Sequence, residues 1–342
     1  MKSFEIAEPC RNFCILGSTL IPKDPKDKRE KYVLANYVAG GLGKLIIIDT
    51  HTWQSESYEF PEDEGAWAVM YLQDKEKLIL GTCANKGYLH SFDLRSRSFE
   101  KSLRIESETY LWNFAHAKDG NVYASTYPGC ILVKYDPEHC LLTNVGRVGN
   151  DMENLYSRWT HTNADGNILV NAGFHTIEAY RYDVDNGTFA KFGDDGDSII
   201  KAYPDVILVQ NGNFYKCYDP DTLQLIEQPV SQSSLEDLSC ISAPAARRAL
   251  EEMANPPYLS LLPGKKGFHI ETLSDGRAVG IKGQEMFVIE NDTISFMMIP
   301  AQAPVTNIMT ISAAPDGTLW GSCEFGQTIF HYDPVTRKYE NT

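Results

Sequence analysis

The sequence predicts an all-β fold: a seven-bladed β-propeller of four-stranded antiparallel blades with one helical insertion. Two recurring marks and their spacing carry that prediction. The first is a hydrophobic run closing on aspartate, at Lys44–Asp49, Leu89–Asp93, Leu132–Asp136, Ala179–Asp183, Phe214–Asp219 and Ile329–Asp333, with a degenerate copy at Met286–Asn291. The second is an Asp-Gly pair, at Asp119-Gly120, Asp165-Gly166, Asp275-Gly276 and Asp316-Gly317, each opening a run of β-formers. The first five aspartates step by 44, 43, 47 and 36 residues, a period that belongs to propellers or solenoids.

Each unit reads as strand, Asp-Gly turn, strand, short loop, strand ending in aspartate, and last strand. Glycine accepts positive φ without steric cost, so Asp-Gly is a hairpin signal. Pro137, Pro220 and Pro334 follow the repeat aspartate and cannot donate to a ladder, so the third strand stops there. The runs are short, β-branched or aromatic, which argues against a helical solenoid. Blades are expected near residues 12–60, 65–105, 110–148, 155–193, 197–229, 266–299 and 306–342. In blade one the charged loop Lys23–Lys31 replaces the first tight turn, and Asp74-Lys75-Glu76 does so in blade two. Blade five is compressed around Pro204-Asp205, and Ser3–Ile6 is expected to pair with the last blade. A ring of this kind is one domain, 1–342, despite a length that alone would suggest two.

One segment breaks the period. Residues 230–264, between blades five and six, contain Ala245–Ala254, a helix expected to be opened by a Ser242 N-cap and Pro244 and stopped by Asn255-Pro256-Pro257. It is a candidate lid or protein-partner element, set against a plain surface insertion.

Composition narrows the function classes. The formal net charge is −15, from 46 acidic and 31 basic residues. That argues against nucleic acid or an anionic membrane as the main ligand, since both require a basic patch. No apolar run reaches the length of a membrane span, and the N-terminus lacks a signal-peptide pattern. The eight cysteines are scattered, as in a reduced, cytoplasmic protein.

Ligand groups in a propeller gather at one channel mouth, just before the first strand and just after the second strand of each blade. Counting from the turns selects Tyr127, Arg158, His175 and Glu324 as candidate catalytic residues. Tyr37, Trp67, Tyr110, Trp112, Tyr156, Lys266 and Asn307 are candidate substrate-binding residues. Aromatic faces stack on sugar or heteroaromatic rings, and a cation neutralises a carboxylate. A Tyr or His beside that cation is a candidate general base. The set suits β-elimination from a uronic acid, the cation stabilising an enolate-like intermediate, and suits lactone or ester hydrolysis equally. Most of these aromatics could instead simply pad the channel. No cofactor is firmly implied, although the channel could hold a divalent metal. His116 and His161 fall inside first strands and read as satisfied core or edge histidines. Cys10 and Cys14 are too loosely spaced for zinc without a second pair, and Asp183–Gly187 lacks the glycine and glutamate of a calcium loop.

The last repeat, Ala314-Pro315-Asp316-Gly317-Thr318-Leu319-Trp320 with Thr328–Pro334, resembles the blades of streptogramin lyase and gluconolactonase-type propellers. The resemblance implies a lyase or hydrolase acting on a carbohydrate-like or cyclic small-molecule substrate, with an oligosaccharide among the candidates. The streptogramin-lyase Pro-His-Gly-Ile-type and Trp-Phe-Thr-Glu segments have no counterpart here: Glu324 follows Gly321-Ser322-Cys323, one place later. The gluconolactonase Ser-Asn-Gly segment, part of a divalent-metal site, is absent too. Polysaccharide lyases of this fold use His, Tyr and Arg. The alternative is a non-catalytic platform that binds a protein or glycan.

Overall fold

A computed structural model of the chain describes residues 8–325 and 328–341. Its strands form seven antiparallel sheets at residues 15–59, 65–104, 110–147, 156–192, 198–231, 268–298 and 308–341. Each is an up-and-down meander in which chain order equals strand order, so the fold is that of a seven-bladed β-propeller. Blade two departs from the plain pattern, because Ser98–Phe99 and Leu103–Arg104 both pair with its third strand, Tyr88–Asp93. Ser3–Ile6, expected to pair with the last blade, lies outside the described residues.

The repeat aspartates share one job. In Asp49, Asp93, Asp136, Asp183, Asp219 and Asp333, Oδ1 accepts the backbone N–H groups two and three residues on. A short carboxylate can thus replace the missing ladder partners as the third strand turns into the fourth. The degenerate sixth copy turns by other means. Asn291 and Asp292 both take positive φ, 48° and 56°, in a two-residue loop of the type I′ kind that suits strand twist. The Asp-Gly pairs work alike: Gly120, Gly166, Gly276 and Gly317 sit at φ of 77° to 88°, and each aspartate accepts the N–H two residues on.

First strands carry a feature that the repeat does not announce. In blades one and three to seven the register between first and second strands slips by one residue. Such bulges bend a strand and re-aim its side chains.

The chain packs as two compact units. One comprises Met1–Leu80, His90–Lys101 and Leu261–Thr342, the other Gly81–Leu89 and Ser102–Ser260. In the first, blade one shares Val33, Leu45, Ile47 and Phe60 with Leu78 and Phe92 of blade two. Its other face packs Tyr32, Leu34, Ile46 and Ile48 on Val279, Met286 and Val288 of blade six. Blade seven is carried by the N-terminal segment, and its first strand, Ile308–Ala313, is exposed along its whole length. In the second unit, blade three packs on blade four through Tyr123, Leu132, Val170 and Tyr182. Blade four packs on blade five through Leu169, Ala179, Ile207 and Val209.

Blade five is closed off by helix α1 (Pro244–Ala254), whose Ala246, Ala249 and Leu250 bury against Val206, Leu208, Tyr215 and Cys217. The apolar face of the insertion is therefore spent on its own sheet. The expected Ser242 N-cap is displaced: Ala243 occupies that position without a side-chain cap. The Glu227 carboxylate instead accepts the backbone N–H groups of Ser242 and Ala243 and the Ser242 hydroxyl, at 2.7, 3.1 and 2.8 Å. Those bonds hold the Glu227 carboxyl down at about 2, an anion where the helix dipole favours one. Among the described residues no helix is long and apolar enough to cross a membrane.

Candidate functional site

Six of the eleven candidate residues lie in the second unit, and five of those form one assembly. Tyr110 stacks on Trp112 at 4.7 Å and meets Tyr127 edge-on at 5.5 Å. Tyr127 stacks on Tyr156 at 4.6 Å, and Tyr156 returns to Trp112 at 5.5 Å, which closes a circuit of four rings. Offset and edge contacts of this kind contribute roughly 0.5–1.5 kcal/mol each beyond area burial. Arg158 projects from the first strand of blade four, its guanidinium 4.7 Å from the Trp112 ring centroid and 4.9 Å from that of Trp159.

Beside this assembly is a cleft of about 280 Å³, lined by Tyr156, Arg158, Trp159, Asn171, Phe174, Ile177 and Ser198, together with Ala172 and Gly173. Among the described residues no carboxylate lines it. Asn171 is spent: its amide donates to the carbonyls of Glu178 and Asp197 and accepts the Ile199 N–H. Arg158 is not spent. Among the described residues its guanidinium meets only the two indoles, with no hydrogen bond and no ion pair. In a chain with 46 acidic residues, its guanidinium has no carboxylate partner among the described residues. The indoles attract the cation, by about 0.5–2 kcal/mol each, and leave N–H groups free for a ligand.

Local sequence explains the convergence. Arg158 pairs with Asn171 and His161 with Leu169, so one extra residue is inserted between them. Trp159 takes φ of 56° at that insertion, a left-handed conformation costly for a bulky residue. In a regular strand neighbours point to opposite faces; the bulge brings Arg158 and Trp159 to the same cleft. Trp159 escapes a count from the turns for this reason. Phe174 has φ of 108° and is 72% exposed at the cleft edge. Ser198 comes from the next blade. The readable signal was the aromatic neighbour on each chosen residue: Arg158-Trp159 and Phe174-His175.

His175 stands apart from the cleft lining. Its Nδ1 pairs with Asp151 at 2.8 Å and its Nε2 lies 3.3 Å from Glu153, which raises its pKa, chiefly through the Asp151 hydrogen bond. The buried Asn154 holds the same loop through the N–H groups of His175 and Thr176 and the Thr176 carbonyl. His161, read as a satisfied histidine, is only partly so. Its ring meets the Ile199 backbone, while the sealed Nε2 has no partner among the described residues.

The other five candidates lie in the first unit. Tyr37 donates to the Glu64 carboxylate, which also accepts the Gly40 N–H, and meets Phe325 edge-on at 5.1 Å. Asn307 donates to Glu324 at 3.2 Å, and the Glu324 N–H returns to the Asn307 carbonyl. A Cβ on Gly40 would collide with the Asn307 amide, so these groups lie together. Trp67 and Lys266 are exposed in the same unit. No three His, Cys, Asp or Glu side chains gather as a metal site among the described residues.

No family model matches the sequence, and no curated protein matches it. Solved structures do match. The chain is similar to catalytically inactive virginiamycin B lyase from Staphylococcus aureus with quinupristin, at 12% identity and a TM-score of 0.51, covering 93% of this chain and 94% of that one. Selenomethionine-substituted virginiamycin B lyase from the same organism gives 12%, 0.51, 93% and 92%. A streptogramin B lyase structure gives 12% and 0.48, covering 91% and 95%. Likeness at this identity shows the propeller fold.

Proposed function

We propose that the cleft of the second unit binds a small, ring-bearing anion, and that the protein acts on it as a lyase or hydrolase. One observation carries this reading: among the described residues Arg158, flanked by two indoles, has no acceptor and faces a cleft with no carboxylate. A guanidinium offers a planar, two-pronged match to a carboxylate. Tyr156, Trp159 and Phe174 supply faces for a ring. In the elimination form, Arg158 neutralises a uronate carboxylate and then stabilises the charge that spreads into it as the adjacent proton leaves. A tyrosine of the Tyr127–Tyr156 stack, as phenolate, takes that proton; the bond to the β-oxygen breaks, and the phenol so formed returns the proton to the departing oxygen, which leaves as an alcohol. In the hydrolytic form Arg158 stabilises the oxyanion of an opening lactone. His175 is tied to Asp151 and Glu153 and has no part in either form.

The test is calorimetric titration and turnover with uronate oligosaccharides, their uncharged counterparts and lactones, on wild type and Arg158→Met. Binding of the charged ligand is expected to weaken by about 10- to 100-fold in the variant, the worth of a charge-assisted pair. Equal affinity in both proteins, or no binding of any charged ligand, would sink the proposal. Binding without turnover would remove the enzymatic half and leave the glycan-binding platform.

A further inference from the structure

Two of the eight cysteines meet. Cys10 lies on the N-terminal segment and Cys323 ends the second strand of blade seven, 313 residues later. Both are buried in one small cluster with Phe330 and Tyr332, and the Cys10 carbonyl is bonded by Thr306, two residues before Ile308, the register partner of Cys323. Neither is in a disulfide.

Non-covalent contacts already seat the N-terminal segment, among them the amide pair between Phe13 and Gln284. Arg11 forms an isolated antiparallel bridge with Val305. The Thr306 N–H donates to the Cys10 carbonyl at 2.9 Å, and the Arg11 Nη1 donates to the Ala303 carbonyl at 3.1 Å. Asn12 reaches the Phe325 carbonyl and the Thr328 hydroxyl, and Asn341 donates to the Arg11 carbonyl. These bonds join the first described residues of the chain to the last blade. That blade leaves its own first strand exposed, so the N-terminal segment is the cover on which its buried cluster depends.

We propose that Cys10 and Cys323 form a disulfide that fastens the N-terminal segment to the last blade under oxidising conditions. The oxidant is a low-molecular-weight disulfide such as oxidised glutathione. One cysteine, as thiolate, attacks it, forming a mixed disulfide and releasing one thiol. The second protein thiolate then displaces the other glutathione. Two protein thiols lose two protons and two electrons, and one small disulfide becomes two thiols. Burial raises the Cys10 thiol far above its ordinary range, with the Cys323 thiol adding to the effect. The docked pair is therefore slow to react, and the bond forms when the segment is loose, during folding or fraying. Once closed it links residues far apart in sequence, the case in which loop closure constrains the unfolded chain most.

The experiment uses the full chain with exposed Cys140 and Cys240 changed to serine, refolded in a glutathione redox buffer and compared with the same protein under reductant. The expected result is a single cross-linked peptide pair, containing Cys10 and Cys323, on non-reducing mass-spectrometric mapping. The urea midpoint should rise on oxidation and stay unchanged on oxidation in Cys10→Ser and, separately, Cys323→Ala. Circular dichroism of the reduced variants confirms folding. Recovery of both cysteines as free thiols after refolding, or scrambled pairs involving Cys14, Cys83, Cys130 or Cys217, overturns the proposal.

Discussion

His161 makes a titration experiment that tests the packing of blade four directly. Its Nε2 is sealed without a partner among the described residues, and burial pushes its pKa from 6.5 down to about 4, against an upward pull from the Ile199 backbone. The unfolded chain therefore binds a proton that the folded chain refuses. Stability from the neutral ring is fully present above pH 6.5 and drains as pH falls toward the folded value. A gap of about 2.5 units corresponds to roughly 3 kcal/mol in full, and to about 2 kcal/mol between pH 7.5 and pH 5. The perturbation is His161→Leu, which cannot be protonated and leaves no orphaned nitrogen. Urea unfolding of wild type and variant at pH 7.5, 6.5, 5.5 and 5.0 gives a difference in which the other histidines cancel. The wild type should lose about 2 kcal/mol relative to the variant across that range. A difference that stays flat with pH would refute the reasoning, because a hydrated or partnered His161 would titrate alike in both states.

Three further outcomes are expected. His175→Ala should show the opposite sign: the Asp151 hydrogen bond raises the His175 pKa, so what the histidine contributes is present at acid pH and fades above its folded value. The same urea series at pH 5.5 and 8 reads this as a larger wild-type advantage at the lower pH. Glu271 is pushed up by burial, with Ser18 donating to it at 3.3 Å; its contribution is fullest below its unfolded value and is lost as pH rises through the folded one, so Glu271→Gln should melt above wild type at pH 8 and converge with it near pH 4. Trp159→Gly should change the urea midpoint little, since relief of the left-handed backbone offsets the added chain entropy to within about 1 kcal/mol, while affinity for the charged ligand and its quenching of tryptophan emission both fall.

The blade boundaries were legible because they are written in local chemistry. An aspartate that caps its own turn and a glycine that takes positive φ need no distant partner, so their spacing survives in the sequence even at the compressed fifth blade. Glu227 capping helix α1 was not legible. It lies 15 residues before Ser242, and nothing short of the folded turn brings a carboxylate there in place of the adjacent serine. The Cys10–Cys323 contact and the burial of α1 on blade five were hidden for the same reason, since contacts over long separations leave no period.

The cleft shows where local and non-local information meet. Counting from the Asp-Gly turns reached Tyr110, Trp112, Tyr127, Tyr156 and Arg158, because the ends of first and second strands are fixed by those turns. It passed over Trp159, because strand alternation puts that residue on the face opposite Arg158. The bulge overrides alternation, and it recurs at the same place in blades one, three, five, six and seven. His269 of blade six repeats the left-handed backbone of Trp159, with φ of 58°. There the side chain is used internally, its Nε2 meeting the Ile15 carbonyl at 3.1 Å. The same backbone device therefore serves packing in blade six and the cleft in blade four. Bulge position alone does not mark a site. What marks it is a bulged residue whose side chain, like that of Trp159, faces a cleft beside a cation with no acceptor among the described residues.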